Sequence, residues 1–151
     1  MGRSPTAQER FKLIAAVYLL FRRGDEILLL LRANTGYEDG NYGLVSGHVD
    51  GDEPLAAAAA REAREEAGVE IDPADLALRT VMHRRQDDER VEFFFEPTRW
   101  LGEIRNMEPD KCAALSWFPI AHLPDNTIPY IREAIARYRA AVPYSAFWKP
   151  S

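Results

Sequence analysis

The chain has 151 residues, of which 46% are apolar and 28% are charged. That length suits a single domain, and that composition can form a buried core, which argues against a disordered protein. The net charge of −5 argues against a protein that binds nucleic acid or a membrane surface, because such proteins usually carry a basic patch. The single cysteine, Cys112, excludes a disulfide framework, and we expect an intracellular, cytoplasmic setting.

A polar tail and two buried strands are predicted at the start of the chain. Residues 1–10 are polar and predict a flexible tail before one domain over residues 11–151. Residues 11–21 and 27–31 are apolar on both alternating faces, which is typical of strands covered on both sides. No apolar run reaches the roughly 18 residues that span a bilayer, so we expect no membrane segment.

A well-bounded helix follows. A loop rich in glycine and Asn/Asp over residues 34–41 and a short strand over residues 42–45 precede it. Five consecutive alanines followed by Arg and Glu predict a helix over residues 54–67, because these are strong helix formers. Pro54 suits the first turn, and Gly68 suits the left-handed position that closes a helix.

The remainder is predicted to contain three strands and a second helix. We expect strands over residues 76–83 and 90–96, joined by a polar turn, and a third over residues 113–118 after a charged loop over residues 102–111. One face of the second helix is defined by apolar side chains three and four residues apart, namely Ile128, Ile131, Ile135 and Tyr138. The simplest arrangement is an α/β fold with one mixed sheet and a helix on each face.

Three glutamates, Glu62, Glu65 and Glu66, stand at spacings of three and four residues, so they project from one surface of the first helix. Crowded carboxylates above small alanines form an oxygen cage that suits Mg²⁺ or Mn²⁺. Arg61 lies four residues before Glu65 and offsets part of the repulsion between the carboxylates. Taken alone, this pattern is more typical of a solvated acidic helix face.

The spacing of charged residues continues on both sides of this cluster. Five residues separate Gly47 from Glu53, seven more separate Glu53 from Arg61, and the run from Arg61 reads REAREEAGV. This pattern resembles the signature of the Nudix hydrolase superfamily, the Nudix box, which spans residues 47–69 here. Every fixed position of the signature is present, which favours a metal site. The resemblance covers most of the chain and implies an α/β/α sandwich with a mixed central sheet.

The resemblance implies a role for each charged residue of the box. The main-chain carbonyl near Ser46 and Gly47 matches a metal ligand, although many relatives read Pro-Gly-Gly where this chain has Val45-Ser46-Gly47. Arg61 matches the arginine that orients the box glutamates, with Glu53 as its ion-pair partner. The carboxylates that hold divalent cations match the clustered glutamates, so that the implied catalytic and metal-binding residues of the box are Glu53, Arg61, Glu62, Glu65 and Glu66.

A further carboxylate outside the box often completes such a site. We expect Glu108 to supply it, because residues 106–111 form a charged loop just before a predicted strand, where MutT-type members carry such a glutamate. His48 is either an acid–base group, since its unperturbed pKa is near 6.5, or a loop histidine with a structural role. The other acidic candidates outside the box are Glu92, Glu96, Glu103 and the turn residues Asp87, Asp88 and Glu89.

The substrate is less clearly marked. Sequence markers of the ADP-ribose, diadenosine polyphosphate, coenzyme A and NADH subfamilies are not recognisable, which leaves nucleoside triphosphates. Asp125 and Asn126 precede the last helix, where MutT-type relatives carry base-reading side chains, although Asn126 equally suits a helix cap. Asn34 is a second base-reading candidate. Cations that either bind phosphate or form surface charges are Arg32, Arg84, Arg85, Arg90 and Lys111.

These features together predict a Mg²⁺-dependent enzyme that cleaves a nucleoside triphosphate into a monophosphate and pyrophosphate, acting on damaged or surplus nucleotides. Water attacks one phosphorus while metal ions neutralise the charge on the phosphate oxygens. The alternatives are cleavage of another nucleoside diphosphate derivative, such as a nucleotide sugar, ADP-ribose or a dinucleotide, and a non-catalytic nucleotide sensor. The aromatic segment over residues 144–149 is expected to pack on its own domain or on a second subunit in a homodimer.

Overall fold

The computed structural model describes residue 6 and residues 9–149, so most of the predicted N-terminal tail lies outside the described residues. None of the helices in this part of the chain has the length and apolarity needed to span a membrane. The elements in chain order are β1 (Ile14–Leu19), β2 (Arg22–Arg23), β3 (Glu26–Arg32), β4 (Tyr42–Gly43), β5 (Ser46–His48), α1 (Leu55–Ala67), β6 (Leu76–Arg85), β7 (Glu89–Pro97), β8 (Cys112–Pro119), α2 (Pro129–Arg139) and β9 (Tyr144–Trp148).

The central sheet is mixed and has the strand order β5-β1-β7-β6-β9. β1 runs parallel to β7, with Ile14 opposite Arg90, and β6 runs parallel to β9. The β1–β5 and β6–β7 pairs are antiparallel. This mixed sheet with two helices confirms the predicted α/β class.

A second, antiparallel sheet was not anticipated. β3 pairs with β2 and β4 and also with β8, along a register that joins Ile27 to Phe118. Residues 27–31 are apolar on both faces, as predicted, but such a pattern reports burial and not the strand that pairs with it. The prediction of a single sheet was therefore too simple.

The two helices cover opposite faces of β1. Val17 and Leu19 belong to the apolar cluster that contains the alanines of α1, whereas Ala16 and Tyr18 belong to the cluster that contains α2. Successive side chains of a strand point to opposite faces, so β1 contributes to both clusters. Small side chains on α1 let that helix lie close to the sheet, because its inward alanines are fully buried.

Both ends of α1 are close to their predicted positions. The helix begins at Leu55, one residue later than predicted, because Pro54 is extended and precedes the first turn. Gly68 ends it in the left-handed conformation, at φ +71°, and donates its N–H to the carbonyl of Arg64 over 3.1 Å. A glycine is favoured there because other residues rarely adopt positive φ.

Candidate active site

A cleft of about 500 Å³ is lined by both helices, by strands of both sheets and by the loops after β3 and before β8. That volume lies in the range of small-molecule sites. The ionisable side chains of Arg, Lys, Glu and His residues that line it are Arg32, His48, Glu62, Glu66, Arg84, Arg90, Glu108 and Lys111.

The main chain of β5 lies directly against two glutamates of α1. The N–H of Ser46 donates to Oε1 of Glu66 over 2.8 Å. A Cβ atom on Gly47 would lie 2.1 Å from Cδ of Glu62, a separation that no real Cβ contact adopts. Glycine at position 47 therefore lets the Glu62 carboxylate approach the strand, which explains the first fixed position of the box.

These two carboxylates are poorly solvated. Burial raises the pKa of Glu62 to about 7, against the opposing effect of the Arg61 guanidinium. Burial likewise raises the pKa of Glu66 to about 8, although the Ser46 N–H lowers it, and the charges of Glu62 and Glu108 raise it further. A nearby cation would favour the ionised forms of both groups.

Arg61 joins the box glutamates to the main chain. Its Nε and Nη2 atoms donate to the two oxygens of Glu53 over 3.2 and 2.9 Å, and its Nη1 donates to Oε1 of Glu62 over 2.8 Å. Nη2 also donates to the carbonyl of His48 over 3.2 Å. Hydrogen bonds from Arg61 hold the pKa of Glu53 below its ordinary value. Glu53 is thus an anchor for the arginine and does not line the cleft.

Four of the five predicted metal ligands lie together in the cleft. Ser46, Glu62, Glu66 and Glu108 line the cleft, whereas Glu65 does not; it is half exposed, 3.6 Å from Nη1 of Arg61. Across the described residues, no three Asp, Glu, His or Cys side chains converge tightly enough to hold a metal ion. The donor chemistry nevertheless fits a divalent cation, because burial outweighs the stabilisation that Arg61 gives Glu62 and the Ser46 N–H gives Glu66, so both carboxylates keep raised pKa values.

Of the cleft floor, which we define as Tyr18, Arg84 and Tyr130, only Arg84 was a candidate from the sequence, either as a phosphate-binding cation or as a surface charge. Arg84 is only 4% exposed and forms an ion pair with Glu92, which is fully buried. The surface-charge interpretation of Arg84 was therefore wrong. The strand was predicted to end at residue 83, but β6 continues to Arg85. Every second side chain of β6 from Thr80 through Met82 to Arg84 is buried, so Arg84 points inward.

Comparison with known proteins identifies the fold family. The sequence profile of the NUDIX domain matches residues 11–138, which is most of the chain. The chain belongs to the NUDIX family. Among curated proteins, none has a sequence similar enough to this NUDIX domain to count as a relative.

Several solved structures are similar to this chain. A MutT NUDIX hydrolase from Burkholderia pseudomallei has a TM-score of 0.76 and 29% identity, over 83% of this chain and 98% of that one. The ORF135 protein of E. coli has a TM-score of 0.68 and 25% identity, over 93% and 99% of the two chains. A bifunctional NMN adenylyltransferase/ADP ribose pyrophosphatase from Francisella tularensis, in complex with AMP and a Mn ion, shares the fold at 20% identity and a TM-score of 0.65, over 86% and 42%.

This NUDIX domain is accordingly a hydrolase that acts on phosphoric anhydride bonds in a nucleoside diphosphate-linked substrate, as predicted. Two of the four predicted substrate-binding residues, Arg32 and Asn34, line the cleft. Nε of Arg32 donates to the carbonyl of Tyr37 over 2.8 Å, and Nδ2 of Asn34 donates to the carbonyl of Asp110 over 2.8 Å. The first bond joins the end of β3 to the loop over residues 34–41, and the second joins that loop to the loop before β8.

The other two, Asp125 and Asn126, are exposed and do not line the cleft. Nδ2 of Asn126 donates to the carbonyl of Gly40 over 2.8 Å. The capping interpretation of Asn126 was wrong, because α2 has Ile128 at its N-cap and no side-chain cap. In the described structure Asn126 therefore stabilises the loop over residues 34–41.

Proposed function

We propose that this NUDIX domain hydrolyses nucleoside triphosphates to a nucleoside monophosphate and pyrophosphate, with Mg²⁺ as the cofactor and Mn²⁺ as a substitute. The observation that carries the proposal is the pairing of poorly solvated carboxylates with cations in one cleft. Glu62 and Glu66 have raised pKa values, and Arg32 and Lys111 line the same cavity. Carboxylates alone repel a polyphosphate, so a divalent cation is needed for binding as well as for chemistry.

The proposed metal ligands follow the box. The carboxylates of Glu62, Glu65 and Glu66, the carbonyl of Ser46 and the carboxylate of Glu108 hold the cation. A bound divalent cation supplies charge neutralisation on the phosphate oxygens and lowers the pKa of water. The Ser46 N–H orients Glu66 through its 2.8 Å hydrogen bond, which turns the carboxylate toward the strand rather than toward solvent.

Arg61 and Glu53 act as a support for the metal ligands. The guanidinium is held on Glu53 by two hydrogen bonds and reaches Glu62 with its remaining terminal nitrogen. Hydrogen bonds that orient a metal-binding side chain from outside the coordination sphere commonly raise metal affinity by about 10- to 100-fold. We assign both residues to positioning and not to proton transfer.

Phosphate binding is assigned to those cleft cations that form no ion pair with a carboxylate of residues 9–149. Arg32 is held by two oxygens that carry no full charge, the carbonyl of Tyr37 and Oγ1 of Thr35. Arg90, by contrast, donates to both oxygens of Asp88. Arg32 and Lys111 are therefore better suited to a polyphosphate, with Asn34 as a neutral hydrogen-bond donor beside them.

A product-resolved hydrolysis screen with Mg²⁺ tests the proposal. The panel contains the common and oxidised nucleoside triphosphates, ADP-ribose, a nucleotide sugar and a diadenosine polyphosphate. Monophosphate and pyrophosphate from a triphosphate support the proposal. Cleavage confined to ADP-ribose, the sugar or the dinucleotide would overturn the substrate and leave the hydrolase class intact.

A further inference from the structure

The cleft floor contains a buried ion pair that the proposed metal chemistry does not use. Nε and Nη2 of Arg84 donate to the two oxygens of Glu92 over 2.6 and 3.1 Å, and the hydroxyl of Tyr18 donates to Oε2 of the same carboxylate. Arg84 and Tyr18 line the cleft, whereas Glu92 lies behind them and is fully buried. The network of these three side chains joins β6, β7 and β1. Of the three, Arg84 and Tyr18 are placed to contact a substrate in the cleft.

Arg84 is held rigidly. Its guanidinium lies 3.6 Å from the centroid of the Tyr130 ring, and its Nη1 donates to Oε1 of Gln86 over 3.0 Å. The Tyr130 hydroxyl lies 3.3 Å from that of Tyr18, which links the ring to the same network. A side chain fixed on three sides loses little freedom when a ligand binds, so its hydrogen bonds are preorganised.

Within the described part of the chain, two N–H donors of the Arg84 guanidinium have no partner. Arginine has five N–H groups, and Glu92 and Gln86 together take three of them, which leaves one on each terminal nitrogen. The Glu92 carboxylate cancels the charge of Arg84, so the floor is suited to a neutral acceptor rather than to phosphate. Phosphate is served by Arg32 and Lys111 in the same cleft.

We propose that Arg84 is a specificity-determining residue, which selects a nucleobase whose edge carries two neighbouring acceptors. Guanine and hypoxanthine have such an edge in O6 and N7, and cytosine has one in N3 and O2, whereas adenine replaces O6 by an amino donor that opposes an N–H of Arg84. Glu92 is a positioning residue, because it touches Arg84 and not the cleft. The inference rests on the proposed function, in that it names the base of the nucleotide substrate.

Ligand-side changes test the proposal on the unaltered protein. Calorimetric titration in the absence of metal compares GMP, IMP, AMP and the 7-deaza analogue of GMP, which lacks the N7 acceptor. We expect GMP and IMP to bind at least about fivefold more tightly than AMP, because a bidentate arginine contact distinguishes the guanine edge from the adenine edge. The affinity of 7-deaza-GMP should lie between those of GMP and AMP. Equal binding of GMP and AMP would overturn the proposal.

Protein-side changes use a matched ion pair on the same two strands. Arg84→Lys and Glu92→Gln are compared with Arg79→Lys, since Arg79 pairs with Glu96 over 2.9 Å on the exposed surface. We expect Arg84→Lys to lower kcat/KM for GTP by about tenfold and to bring the GTP-to-ATP ratio toward one, with inorganic tripolyphosphate unaffected. Arg79→Lys should leave that ratio unchanged. A tenfold loss that is equal for GTP, ATP and tripolyphosphate would indicate a structural role only and contradict the proposal.

The two tests separate this inference from the proposed function. If triphosphates are not cleaved but GMP still binds more tightly than AMP, the proposed function fails and the role of Arg84 is supported. If triphosphates are cleaved without preference between GTP and ATP, the proposed function is supported and the role of Arg84 fails. Circular dichroism establishes that each variant is folded, and the ligand comparison remains decisive if Arg84→Lys is not.

Discussion

The carboxylate of Glu66 occupies a position where an ionised group is unfavourable unless a cation is bound. Burial raises its pKa to about 8, and the hydrogen bond from the Ser46 N–H compensates only in part. A glutamine of similar shape keeps an oxygen for that N–H and carries no charge. Substitution at this position therefore separates the chemistry of the site from its effect on folding.

Glu66→Gln is expected to lower triphosphate turnover with Mg²⁺ by at least about 100-fold, because loss of a ligand exceeds the effect of losing its outer support. Glu70→Gln is the matched control, since Glu70 pairs with Arg64 on the exposed surface over 3.1 Å. Steady-state kinetics measures both variants. Turnover that is unchanged in Glu66→Gln would contradict the assigned role.

Although Glu66→Gln is expected to lower turnover, it is expected to increase the stability of the metal-free protein. The pKa of Glu66 is about 8 in the folded chain and 4.5 as a free side chain, so folding favours the protonated form. That contribution is present below pH 4.5 and is lost as the pH rises to 8. We expect metal-free Glu66→Gln to exceed the native protein in free energy of unfolding by roughly 1 kcal/mol or more at pH 8, and by little at pH 5.

Urea unfolding in the presence of a chelator measures this difference. A stability advantage of equal size at pH 5 and pH 8 would show that the effect of Glu66→Gln does not come from titration of the carboxylate. Excess Mg²⁺ should reverse the order, because only the native site gains from binding the cation.

At the scale of elements, the contact of β5 with α1 decides the geometry of the proposed metal site. Gly47→Ala places a methyl group 2.1 Å from Cδ of Glu62, so the carboxylate must move. We expect the apparent affinity for Mg²⁺ to fall by about tenfold and the stability to fall by about 1–3 kcal/mol.

Gly43→Ala is the control for Gly47→Ala, because a Cβ there meets only the end of the flexible Ile128 side chain, at 3.3 Å. Activity titrated with Mg²⁺ and urea unfolding measure the two effects. Equal behaviour of the two variants would show that close approach of Glu62 to the strand is unnecessary.

Elements with local signals were predictable, and those set by distant pairing were not. The start of α1 was predicted to within one residue, because the helix propensity of its alanines and the helix-ending conformation of Gly68 are properties of the local sequence. The pairing of β3 with β8 escaped prediction, because alternation along one strand contains no information about its neighbour. Likewise the helical spacing of Glu62 and Glu66 predicted their common surface. The exclusion of Asp125 from the cleft instead depends on where the loop before α2 lies, and that loop pairs with Tyr42, which is distant in sequence.

At the scale of the whole molecule, the proposed metal site predicts that cation binding and folding are coupled. The proposed ligands come from α1, from β5 and from the loop before β8, so a cation that binds them joins parts distant in sequence. Only the folded chain brings them together, so we expect a bound cation to stabilise the fold by mass action.

We expect Mg²⁺ at about 100 times its dissociation constant to raise the melting temperature by roughly 5–10 °C, from about 2.7 kcal/mol of stabilisation in a domain of this size. Differential scanning calorimetry with Mg²⁺ and with Na⁺ at equal ionic strength measures the shift. The double variant Glu62→Gln, Glu66→Gln should show none. An equal shift in the native protein and the double variant would place the cation elsewhere.

The parallel pairing of β1 with β7 also governs how the chain reaches its folded state. Ile14 pairs with Arg90 and Leu19 pairs with Phe95. The β1–β7 pair at the centre of the main sheet therefore cannot form until the ribosome has synthesised the chain as far as β7. Until then the apolar β1 lacks its principal neighbour and is exposed to association with other nascent chains. Folding is therefore expected to be slow compared with a helical bundle of equal length, because the loop that closes the sheet is long.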